Sequence, residues 1–111
     1  MGWTRICASA EIANGEYVVA GVAGRSLVVA RVGGVVHAVE NVCGHQTRRM
    51  DGGALRLGPA GEPCLECPHH AMCFDLRDGH IVEDAGHQGM DPVRAFAARE
   101  EAGAVFVELP D

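Results

Sequence analysis

Two short cysteine–histidine pairs stand out in the chain, Cys43-Gly44-His45 and Cys67-Pro68-His69-His70. Each offers one thiolate and one imidazole across a tight loop. Taken as Cys43, His45, Cys67 and His70, they supply two sulfur and two nitrogen donors. Such a set can hold a 2Fe–2S cluster, with both thiolates on one iron and both imidazoles on the other. It can also satisfy a tetrahedral zinc ion. The bland alternative is that they are scattered core thiols and surface histidines that hold nothing. The order speaks against zinc, because zinc fingers usually run Cys, Cys, His, His, whereas these residues alternate.

Either metal needs a frame that brings two separate loops together. The apolar stretches are short and rich in valine. Tyr17-Val18-Val19-Ala20, Leu27 to Val32 and Val35 to Val39 read as strands. Gly33-Gly34 reads as a two-residue hairpin turn, since glycine tolerates positive φ. Cys73-Phe74-Asp75-Leu76 and His80-Ile81-Val82 flank a second hairpin signal, Asp78-Gly79. Val93 to Arg99 and Ala104 to Leu109 are expected as a final pair around Glu100-Glu101-Ala102-Gly103. In the last strand Val105, Val107 and Leu109 fall on one face. The first Cys–His pair thus follows a strand ending near Glu40, and the second precedes one starting near Cys73. Between them, Asp51 to Glu66 contains its own turn at Gly58-Pro59-Ala60-Gly61. Many short strands with frequent turns predict an all-β fold, an antiparallel sandwich or small barrel with both pairs in loops.

The 111 residues are expected as one domain, 1–111, with a core of its own. Composition is ordinary for a globular chain, 48% hydrophobic and 22% charged. A net charge of −6 argues against a nucleic-acid partner, whose phosphates would be repelled. No apolar run approaches the ~20 residues of a membrane span. Met1 to Arg5 does not read as a signal peptide, so the five cysteines are expected as thiols in a reducing compartment, the cytoplasm.

From Asn41 to Val82 the chain resembles the Rieske 2Fe–2S family. Asn41-Val42-Cys43-Gly44-His45 is similar to its first cluster loop, C-x-H, and Cys67-Pro68-His69-His70 to its second, C-P-x-H. Phe74-Asp75-Leu76-Arg77-Asp78-Gly79 is similar to the strand and turn that follow. The resemblance implies a cluster-binding part of about 41–82, formed by two loops on a β-sandwich. It implies that Cys43 and Cys67 bind the inner iron, and His45 and His70 the outer iron. Cys64, Cys73 and Cys7 are then read as buried small apolar side chains. His69 stands where the family often carries an aromatic or apolar residue, and reads either as a shield or docking contact for the cluster or as a simple surface histidine; His37, His80 and His87 have no motif around them and read as structural or solvent-facing.

Two departures narrow the branch. Rieske subunits of respiratory complexes carry a further cysteine in each loop, where this chain has Arg48 and His69. They also carry a serine and a tyrosine where this chain has Met72 and Phe74, neither of which can donate a hydroxyl proton. The resemblance therefore implies a low-potential ferredoxin of the kind that serves bacterial ring-hydroxylating dioxygenases. Such a protein is an electron carrier and not an enzyme, docking transiently on a flavin-dependent reductase and a terminal oxygenase. The small subunit of an assimilatory nitrite reductase and a zinc-stabilised binding module remain as alternatives. Twenty-one residues separate His45 from Cys67, somewhat more than is usual in these ferredoxins. The extra length is assigned to a surface turn over 57–63, where it costs little.

Overall fold

Short runs broken by turns build the strands β1 (Gly2–Ala8), β2 (Tyr17–Val22), β3 (Arg25–Val32), β4 (Val35–Glu40), β5 (Ala54–Leu57), β6 (Pro63–Glu66), β7 (Cys73–Asp75), β8 (Ile81–Glu83), β9 (Ala95–Phe96), β10 (Ala98–Glu101) and β11 (Ala104–Leu109), valine-rich in β2, β3, β4 and β11. The computed structural model describes residues 2–42, 49–50, 52–68, 71–86 and 91–110. All paired strands run antiparallel, in three sheets of order β1-β11-β10, β2-β3-β4-β9 and β5-β6-β7-β8.

The β2-β3-β4-β9 sheet is the middle layer. Leu27, Val29, Val36 and Ala38 pack into one core with Val105, Val107 and Leu109. Val28, Ala30 and Val39 pack into a second core with Leu65, Phe74, Leu76 and Val93. Leu27-Val28-Val29-Ala30 therefore has no polar alternation, because β3 is covered on both faces and all four residues are fully buried. Burying each of Leu27, Val28 and Val29 is worth about 1.5–3 kcal/mol relative to exposure.

Tight turns set the register. Gly33 and Gly34 have φ of 59° and 81°, as a two-residue turn between Val32 and Val35 requires. Ala23-Gly24 and Ala102-Gly103 make the same kind of turn, with φ of 53° at Ala23 and 52° at Ala102. The last of these corrects the sequence expectation: β10 continues through Glu101, so the turn is shorter than Glu100 to Gly103. The stretch Val93 to Arg99 is likewise not one strand. Ala95–Phe96 pairs with β4 in the middle sheet, and Ala98–Glu101 pairs with β11 in the outer one. The chain changes sheets at Ala97, which a local alternation pattern does not reveal. The turn at 58–61 joins β5 to β6 and is closed by Gly58 N–H donating to Glu62 O at 2.8 Å.

Arg31 locks the middle sheet to the β10 side. Its guanidinium donates to both carboxylate oxygens of Glu100, at 2.7 and 2.8 Å, and to the carbonyls of Ile12, Gly34 and Ser9. This pairing holds the Glu100 carboxyl down at about 2. The folded state therefore favours ionised Glu100. Its contribution is present above the ordinary carboxylate range and is lost as pH falls toward the folded value. In thermal unfolding between about pH 6 and about pH 2, Glu100→Gln is expected to show a shallower acid decline than the wild type. Equal slopes would mean that the pair does not couple folding to pH.

Candidate metal centre

The first loop leaves β4 at Glu40, and its neck is tied by Asn41, which is 2% exposed. Asn41 N–H donates to Ser26 O at 2.9 Å, and its side-chain amide donates to Ser26 Oγ at 3.1 Å. Its Oδ1 accepts the Met50 N–H at 2.6 Å, which ties Asn41 directly to Met50. Cys43 and His45 fall within 43–48 and lie outside the described residues, as does Arg48.

The second loop leaves β6 at Glu66 and re-enters the sheet at Cys73. Cys67 N–H donates to Met72 O at 2.7 Å, and Ala71 N–H donates back to Cys67 O at 3.0 Å. Ala71 takes a φ of 57° to complete this tight ring. His69 and His70 lie outside the described residues.

The two necks meet. Met50, Cys67, Met72 and Phe74 are all fully buried in the same core. A Cβ on Gly52, just past the first loop, would stand 4.0 Å from Pro68 Cγ in the second. A Cβ on Gly53 would stand 2.0 Å from Glu66 O, so only glycine lets the two backbones come this close. Tyr17 Oη accepts the Gly52 N–H at 2.8 Å and donates to Gly53 O at 3.0 Å, tying this junction to β2. Of the four donors predicted from sequence, Cys67 is the described one, and it lies at the shared floor of both loops. A buried cysteine where the segments flanking the two loops meet fits a cluster whose thiolate-bound iron faces inward. Asn41 belongs to the first motif, but Tyr17, Met50 and Gly53 carry no local signal of a role at the site, because those roles arise only from contacts distant in sequence.

The remaining cysteines occupy different surroundings. By strand alternation Cys64 and Cys73 share the face opposite to Leu65 and Phe74. Burial pushes the Cys73 thiol up to about 11 and raises Cys64 and Cys7 as well. All three stay protonated at neutral pH, which disfavours metal binding and nucleophilic attack. Arg56 pairs with Glu66 at 3.0 Å and with Glu83, two groups that also act electrostatically on Cys73.

Asp75, Asp78 and His80 bring three further donor atoms within 4.8 Å of one another. Asp75 is fully buried, and both of its oxygens are taken by Arg77, whose guanidinium holds the carboxyl below its ordinary range. This group is an ion pair bracing the β7–β8 turn. A shallow groove of about 230 Å³, lined by residues including Arg94, Phe96, Glu108 and Leu109, contains none of the predicted donors.

Residues 2–97 match the Rieske 2Fe–2S domain. The chain belongs to the Rieske 2Fe–2S family. A Rieske relative from Pseudomonas aeruginosa, the ferredoxin component of a naphthalene 1,2-dioxygenase system, is 34% identical over 107 residues, covering 96% of this chain and 95% of its own. Among solved structures, the ferredoxin-sized chain in a complex of reduced oxygenase and oxidised ferredoxin from carbazole 1,9a-dioxygenase superposes with a TM-score of 0.77. It is 27% identical, over 95% of this chain and 91% of that one. A chain described as the small subunit of an NADH-dependent nitrite reductase from Mycobacterium tuberculosis superposes with a TM-score of 0.82. It is 26% identical, over 96% and 93% of the two chains. As a Rieske ferredoxin, the protein carries one 2Fe–2S cluster and is an electron carrier rather than an enzyme with its own substrate. Among the described residues, no helix is long and apolar enough to cross a membrane.

Proposed function

We propose that this Rieske ferredoxin passes single electrons from a flavin-dependent reductase to a terminal oxygenase of the ring-hydroxylating type, in the cytoplasm. Cys43, His45, Cys67 and His70 hold the cluster, and the part that binds it is about 41–82 of a single domain, 1–111. The observation that carries the reading is Cys67, fully buried where the necks of both loops pack together, in a chain akin over nearly its whole length to a dioxygenase ferredoxin.

When bound, a Rieske cluster supplies a one-electron couple tuned by its histidine ligands and by hydrogen bonds to its sulfurs. The chain's own contribution is to position the donors and dry their surroundings. The Cys67 backbone is fixed at both its N–H and its carbonyl. Met50, Met72 and Phe74 are fully buried beside it and bring no hydroxyl. A medium of this kind offers little stabilisation to added negative charge, so the protein sits toward the low end of the ≈ −150 to +300 mV Rieske range. The acidic balance of the chain suits docking on a basic partner surface.

The test is spectroscopic and then kinetic. The purified protein is expected to be red-brown, with a Rieske-type electron paramagnetic resonance signal on reduction. A colourless protein carrying one zinc would favour the zinc-stabilised module instead. Rapid mixing with a reduced flavin reductase, followed by oxygenase, is expected to give successive reduction and reoxidation. The nitrite reductase reading, to which the Mycobacterium tuberculosis structure lends support, predicts exchange with a nitrite reductase large subunit and none with the oxygenase.

A further inference from the structure

Tyr17 lies on β2, far in sequence from both ligand loops, yet its hydroxyl reaches their junction. The oxygen accepts from Gly52 N–H at 2.8 Å and the proton goes to Gly53 O at 3.0 Å, so both hydrogen-bonding roles of the phenol are used. The ring packs against the core that contains Met50, Cys67 and Met72. The dipeptide that the hydroxyl grips is wedged against the residues on either side of Cys67. Gly53 abuts the Glu66 carbonyl, and the Cβ direction of Gly52 faces Pro68.

From this geometry we infer that Tyr17 is a positioning residue for the cluster loops, fixing the segment after the first loop against the backbone that presents Cys67. The inference rests on the proposed cluster site and extends it to a residue outside both loops. Among the described residues, the Tyr17 hydroxyl bonds to the backbone of Gly52 and Gly53. It acts through Gly52 and Gly53, whose placement sets how closely the segment after the first loop approaches Glu66 and Pro68. Among the described residues, the tie from Asn41 to Met50 joins the two ends of the neck and links them to β3. Tyr17 provides a tie from the scaffold to the point where the flanking segments of the two loops meet.

Tyr17→Phe keeps the ring and removes only the hydroxyl, leaving Gly52 N–H and Gly53 O without that partner. In the iron-loaded protein, the Gly52 amide is expected to exchange with deuterium about tenfold faster, the effect of losing one hydrogen bond of ordinary strength. Iron release to a chelator should accelerate by a similar factor, and the resonance signal of the reduced cluster should broaden as its ligand geometry becomes less uniform. Glu100→Gln serves as the control for general weakening. It loosens the junction between β3 and β10 and is expected to leave both cluster readouts at the wild-type level. If the wild type binds the cluster and Tyr17→Phe matches it in iron release and line shape, the positioning role is wrong while the proposed function stands. If Glu100→Gln changes them as much as Tyr17→Phe does, the effect is only one of stability and the positioning role again fails. A wild type that binds no cluster overturns both readings.

Discussion

Alanine at His45 or His70 is expected to eliminate the Rieske signal from protein loaded with iron and sulfide, and serine or alanine at Cys67 to eliminate the cluster itself. Two imidazoles on one iron are what separates this centre from an all-cysteine ferredoxin. Removing one leaves an open coordination position or a different ligand, and either outcome changes the signal qualitatively. The contrast lies with the other cysteines. Cys64→Ala and Cys73→Ala remove thiols that burial keeps protonated, on the far face of β6 and β7 from Phe74. Both variants should retain absorption and signal at wild-type intensity per folded protein. Loss of the cluster in Cys73→Ala, with the fold intact by circular dichroism, would transfer a ligand role to that residue.

Gly79→Ala is expected to be the most damaging single methyl addition in the β7–β8 turn. Gly79 has a φ of 84°, and a Cβ there would stand 1.8 Å from Val93 O. The left-handed conformation alone costs a non-glycine residue about 1–2 kcal/mol. The clash falls on backbone, so relief requires separating Gly79 from Val93. That movement also strains the bond from Val93 N–H to Gly79 O, 3.0 Å, and the one from Gly79 N–H to Asp75 O, 2.7 Å. Overpacking of this kind adds roughly 1–3 kcal/mol. A combined loss of about 2–5 kcal/mol is a large part of the ~5–15 kcal/mol available to a domain of this size. Urea unfolding measures it as a fall in midpoint at constant slope. A loss below about 1 kcal/mol would mean that the turn relaxes without cost. Because Val93 belongs to the core that contains Cys67, lower cluster occupancy should accompany the fall in stability.

Local chemistry made much of the chain legible before any fold was known. Gly33-Gly34 announced its turn because glycine alone takes positive φ freely at two successive positions. Cys43, His45, Cys67 and His70 point to a metal by donor type, as the proposed ligand set, and their alternating order favours iron–sulfur over zinc. Elsewhere local reading failed for identifiable reasons. Ala23-Gly24 does not read as a turn from sequence, because alanine rarely adopts the φ of 53° that it has there. Val93 to Arg99 read as one strand because nothing local marks the change of sheet at Ala97. β5 and β6 were missed as strands around an otherwise correctly placed turn, since Ala54–Leu57 and Pro63–Glu66 are each only four residues long.

By itself, then, the sequence carries the proposal for the metal-binding chemistry of this Rieske ferredoxin: two thiolates and two imidazoles at loop spacing, in an acidic β-rich chain, with Met72 and Phe74 where hydroxyl donors could have stood. The tertiary structure decided how that chemistry is held. It placed the Tyr17 hydroxyl on Gly52 and Gly53, the Asn41 amide across the neck at Met50, and the Glu66 carbonyl where Gly53 tolerates no side chain. The reason is physical. Donor identity belongs to individual side chains and survives in the one-dimensional record. Distances between residues far apart in the chain exist only after the middle sheet has been buried on both faces.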